Sequence, residues 1–150
     1  MEKPYEQVED KLCKLLFFLQ QLTAKLEILS DEIDNENLRN ALCAVANESN
    51  QYASELNCQL KSWSVVPASA LNNLEDKIIE NSLNNNPREK GIELSSICER
   101  SEAFFSELYN DLINDYFTNT PLKNMMHYQL HGIKSAFMRI RFLNSLRFNG

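Results

Sequence analysis

The residue types that could do chemistry here point first to metal. His127 and His131 are the only two histidines, and 21 acidic residues are spread along the rest of the chain. The histidines stand four residues apart, which puts both imidazoles on one face if the segment is helical. A di-iron or di-manganese centre inside a helical bundle needs about four carboxylates and two imidazoles, with Glu-x-x-His on two of the helices. Glu48-Ser-Asn-Gln51 carries an amide where the imidazole belongs, and Glu55-Leu-Asn-Cys58 carries a thiol. From Asn119 to Gly150 there are five basic residues (Lys123, Lys134, Arg139, Arg141 and Arg147) and no acid, so the histidines have no carboxylate beside them. A full set of hard oxygen and nitrogen ligands cannot be assembled from this inventory, and the expectation is no metal and no cofactor. A degenerate di-metal centre would have to draw on Glu27, Glu48, Glu99, Glu102, His127 and His131. Cys13, Cys43, Cys58 and Cys98 form no Cys-x-x-Cys pair, against a zinc knuckle or thioredoxin-like motif. They are expected to be reduced thiols in or near a core, which implies the cytoplasm. With only Gly91, Gly132 and Gly150, no phosphate-binding glycine loop is possible, and no catalytic triad is present. The expectation is a protein that is not an enzyme.

Helices must position these side chains. The chain has 150 residues, of which 43% are hydrophobic and 24% charged, as expected for one soluble domain. Three Gly and four Pro leave little material for the turns of a many-stranded β fold. Val8, Leu12, Leu15, Leu19, Leu22, Leu26, Leu29 and Ile33 recur in alternating steps of four and three, which predicts a helix over Glu6 to Ile33. Leu16, Phe17, Phe18 and Ile28 widen its stripe. Asp34 or Asn35 is expected to cap a second helix bearing Leu38, Leu42, Val45, Ser49, Tyr52, Leu56 and Leu60 on one face. Residues 62–89 carry Pro67, Pro87 and six asparagines, and read as a long crossover in which Leu71, Leu74, Ile78, Ile79 and Leu83 support a short helix. Trp63, with Val65 and Val66, reads as a plug for the end of the bundle. A third helix is expected over about Lys90 to Phe117 with Ile97, Phe104, Leu108 and Leu112 inside. A fourth is expected to be capped by Thr120 with Pro121 in its first turn, with Leu122, Met126, Gln129, Ile133, Phe137, Ile140 and Leu143 facing inward. The crossover is not expected to divide domains, because neither hairpin alone could cover its apolar face. The expected fold is all-α: two antiparallel helical hairpins joined by a long crossover, the ferritin-like arrangement of a four-helix bundle.

A net charge of −6 argues against nucleic acid, whose phosphates need clustered cations. No apolar run reaches the roughly 18–20 residues that span a bilayer. Leu15 to Leu19, the longest apolar stretch near the start, follows Lys14 and opens an amphipathic helix rather than a signal peptide. The basic last segment faces Glu93, Glu99, Glu102, Glu107, Asp111 and Asp115 on the third helix, a complementarity that would pin the two together or offer a basic face to an acidic partner. His131-Gly-Ile-Lys134-Ser135-Ala136 is similar to the motif of histidine phosphotransfer modules. There an exposed imidazole accepts a phosphoryl group and a lysine one turn on offsets its charge.

Ile97-Cys98-Glu99-Arg100-Ser101-Glu102 resembles the Cys-Glu-Arg-Gly-Glu-Asp type motif in the third helix of a bacterial family of ferritin-like proteins of unknown function. The likeness continues through Tyr109-Asn110-Asp111-Leu112, then Gln129, Lys134 and Arg139-Ile140-Arg141 in the last helix. It includes Asn37-Leu38-Arg39-Asn40-Ala41-Leu42 and Gln51-Tyr52-Ala53-Ser54-Glu55-Leu56 in the early hairpin. Gly132 stands where that family often has Glu, Phe137 where it often has His, Ser101 where it has Gly, and Ala103 where it has Asp. The resemblance implies the fold and gives no catalytic residues to carry over. The wide stripe of the first helix, Phe17 and Phe18 included, implies association with a protein partner, with a second copy as a homodimer the simplest form.

Overall fold

The computed structural model describes residues 4–63 and 90–149, with side chains described over 6–63 and 94–146. Four helices account for nearly all of it: α1 (Pro4–Asp31), α2 (Glu36–Ser62), α3 (Lys90–Ile113) and α4 (Thr120–Asn149). No strand is present among the described residues, and no described helix is long and apolar enough to cross a membrane. The expected crossover helix, with Val65 and Val66, falls outside the described residues; Ser62 still belongs to α2, and Trp63 is its C-cap.

The α1 seam packs as its spacing requires. Val8, Leu12, Leu15, Leu19, Leu22 and Leu26 are buried, and Leu29 packs half-buried against the same core. The helix stops at Asp31, before Ile33, yet Ile33 is buried in the connection. Asn35 caps α2, its side-chain oxygen accepting the Leu38 amide at 3.0 Å. On α2 the whole expected face is buried, Ser49 included. That serine is satisfied from α1 and from its own helix: its hydroxyl lies 2.7 Å from the Thr23 hydroxyl and donates to the Ala46 carbonyl at 2.9 Å.

Two details of the second hairpin differ from expectation. The inner face of α3 is Leu94, Ile97, Cys98, Ser101, Phe105, Tyr109 and Leu112, while Phe104 and Leu108 sit half-buried beside it. Two adjacent phenylalanines leave the phase of a helix ambiguous by one residue, and Tyr109 settles it by burying a hydroxyl that finds a partner. At the start of α4 the cap is Asn119, not Thr120: Asn119 Oδ1 accepts the Leu122 amide at 2.9 Å. The bend before it is built on Asp115, whose carboxylate accepts the Phe117 amide at 2.9 Å.

Neighbouring helices run antiparallel. Near its start α1 meets the end of α3 through Lys11 and Asp115, at 2.8 Å, and further along Phe18 meets Phe104 edge to face with ring centres 4.7 Å apart. Gln129 on α4 reaches both Tyr109 on α3 and Glu55 on α2. Each helix touches two others closely, α1 packing on α2 and α3, and α4 on α3 and α2. It follows that α2 and α3 point the same way, and the two chain ends joined by residues 64–89 lie at opposite ends of the bundle. One hydrophobic cluster draws residues from all four helices.

Candidate functional site

Five polar side chains gather where α2, α3 and α4 meet. Gln129 is fully buried in α4 and lies between two partners. Tyr109 donates its hydroxyl proton to Gln129 Oε1 at 2.8 Å, and Gln129 Nε2 donates to Glu55 Oε1 at 2.9 Å. An amide is suited to this place because it accepts and donates at once. One turn away on α2, Tyr52 donates to the Glu48 carboxylate. Burial pushes the Tyr109 phenol far up, so it remains a neutral donor. Burial, then the Glu48 carboxylate beside it, pushes the Tyr52 phenol up as well.

Gly132 makes room for this pair. A β-carbon there would collide with the Tyr52 hydroxyl and stand 2.5 Å from Glu48 Oε1. The missing side chain therefore answers a need for space, not for an unusual backbone angle.

The residues proposed for a di-metal centre are not brought together. Glu27, Glu99, His127 and His131 are exposed. Glu48 is taken by Tyr52, and Glu102 is taken by Arg141 Nη2 at 2.8 Å. Among the described residues no group of three or more His, Cys, Asp or Glu is arranged to hold a metal ion. The physical reason is that the helices turn their leucine seams inward, so these carboxylates and imidazoles fall on outer and flanking positions. For the phosphotransfer motif, His131 is exposed midway along α4, with Lys134 and Ser135 exposed beyond it.

The charge complementarity of α3 and α4 is realised mainly at Arg141, which also approaches Glu99 at 3.9 Å. Lys134 and Arg139 are exposed and make no ion pair among the described residues. Trp63, half-buried at the end of α2, packs on the core and helps line a cleft of about 520 Å³ with Val8, Phe117 and Leu122. That place fits the expected plug. Of the four thiols only Cys13 and Cys98 are buried, whereas Cys43 and Cys58 are exposed on α2. The expectation that all four lie in or near a core is corrected for Cys43 and Cys58. Burial pushes the Cys98 thiol up to about 12.

The sequence pattern did not single out one surface. Phe18 is buried and Phe17 half-buried, so the bundle itself covers the stripe of α1 except at Ile28, which is exposed. Besides Ile28, Tyr116 and Phe117, the exposed large apolar residues among the described ones lie on the outer face of α4, at Tyr128, Met138, Phe142 and Leu146. The last three step by four, a helical spacing that could have been found by looking for a second apolar face opposite the first. No family model, curated protein or solved structure matches the chain.

Proposed function

We propose that this chain is a ferritin-like helical bundle without a working di-metal centre, which acts in the cytoplasm by associating with another protein, a second copy included. Support for the architecture comes from the helix directions, with α2 and α3 parallel and their connected ends at opposite poles, and from the resemblance in the third and last helices. The observation that carries the function is the outer face of α4, where four large apolar side chains stay in water. The polar cluster supports a non-catalytic role, because Tyr109, Gln129 and Glu55 are bonded in a chain and Tyr52 is bonded to Glu48, with Gln51 also donating to Glu55. Light scattering at micromolar concentration, alone and with candidate partners, tests the reading: a complex that is lost when Phe142 becomes Ser is expected. Anomalous scattering that located two transition-metal ions between the helices would overturn the non-catalytic part.

A second reading, phosphotransfer through His131 with Lys134, is favoured by one observation, the exposure of both residues on α4. Incubation with radiolabelled acetyl phosphate tests it. Label carried by the wild-type chain and absent from His131→Gln is its required result.

A further inference from the structure

We infer that the outer face of α4 docks an acidic amphipathic helix of a partner protein; the inference rests on the association reading and names the chemistry of the partner. Met138, Phe142 and Leu146 are 59%, 60% and 52% exposed and follow one another at single-turn intervals, with Tyr128 67% exposed further up the same side. A row of this spacing is matched by apolar residues on one face of another helix. The charges beside the row set the sign of the partner. Lys134 and Arg139 flank it from either side, both exposed, and no acid occurs between Asn119 and Gly150. Carboxylates along the edges of the incoming helix would pair with these cations.

The same charges count against other occupants. Two copies paired α4 to α4 would set cations against cations. The exposed sides of α1 and α3 carry carboxylates, but Ile28 is their only large apolar residue that is exposed among the described residues, so a second copy offers no matching row there. An anionic lipid surface would repel a chain of net charge −6 that presents two flanking cations.

The test uses the full chain and a synthetic helical peptide of about 20 residues, leucine along one face and glutamate along its edges. Saturable binding read by fluorescence anisotropy is expected, weakened about tenfold or more by Phe142→Ser or Met138→Ser, and similarly by Lys134→Glu with Arg139→Glu. These positions are exposed, so the variants should keep the wild-type helical signal. Equal binding of a peptide with lysine in place of glutamate would overturn the inference. So would stronger binding to phosphatidylglycerol vesicles than to the acidic peptide. A benzophenone side chain placed at position 138 supplies an independent readout. Cross-linking to the bound peptide supports the docking face, and cross-linking to residues 64–89 of the same chain overturns it. Self-association that is lost in Phe142→Ser, without peptide binding, sinks this inference and leaves the association reading intact; a monomer that binds nothing sinks both.

Discussion

Gln129 and Gly132 carry most of the polar organisation of the interior, and each is testable by a small change. Replacing Gly132 with Ala puts a methyl group where the Tyr52 hydroxyl and the Glu48 carboxylate now sit. A loss of about 1–3 kcal/mol in chemical denaturation is expected, the usual range for overpacking. Adding Glu48→Ala and Tyr52→Phe should recover part of it, and failure to recover any would show that the methyl collides with something else. Gln129→Leu strands the buried Tyr109 hydroxyl and should cost about 1–3 kcal/mol. Combined with Tyr109→Phe it should cost less than the sum of the two single changes, a sign of direct coupling that a double-mutant cycle reads. In the sequence, Gln129 and Ser49 stood out as polar residues on apolar seams, and both are buried. Their partners could not be read, because Thr23, Glu55 and Tyr109 lie on other helices and nothing local says which helices touch. Gly132 was visible only as an absent Glu; the reason for its absence needed Tyr52 in place.

At the scale of the helices, the ion pair that ties the start of α1 to the end of α3 governs a pH response. The hydrogen bond from Lys11 holds the Asp115 carboxyl below its ordinary value of 3.8, and the Phe117 amide helps. The same bond raises the Lys11 amine above its ordinary 10.5. A depressed carboxyl contributes stability above its unfolded value and loses it as pH falls through the folded one, so this contribution fades below about pH 4. The raised amine contributes fully below 10.5 and loses its contribution as pH climbs through its higher folded value. Thermal melts of Lys11→Met should therefore fall less steeply with acid than those of the wild type; parallel curves would deny the pair any role. The seams of α1 and α2 were legible because apolar spacing is a local property that burial preserves. The phase of α3 and the cap of α4 were less so. Phe104 and Phe105 serve either phase equally, and Asn119 and Thr120 can both cap, so the surrounding bundle decides.

For the whole molecule, burial sorts the thiols. Cys43 and Cys58 should react with a thiol reagent in the native state, whereas Cys13 and Cys98 should react only after denaturation. Rapid reaction at all four would contradict the burial of Cys13 on α1 and Cys98 on α3. The single core also bears on fragments. Each hairpin presents an apolar face that the other covers, so residues 1–63 and 90–150 expressed apart should be poorly folded alone and regain helical signal when mixed. The all-α character followed from the scarcity of glycine and proline and from the helical spacing of leucine. The exposed row on α4 did not, since a helix apolar on two sides resembles one that is buried all round.

The chain of bonds from Tyr109 through Gln129 to Glu55 also limits how the helices can slide. These residues belong to three helices, so moving α4 lengthwise by one turn, about 5.4 Å, would leave the buried Tyr109 hydroxyl and Gln129 amide stranded in greasy surroundings. A seam of leucines alone tolerates such a slip, because one leucine replaces another at every notch. The amide in the middle therefore works as an index mark, permitting a single alignment of rods that would otherwise ratchet past one another.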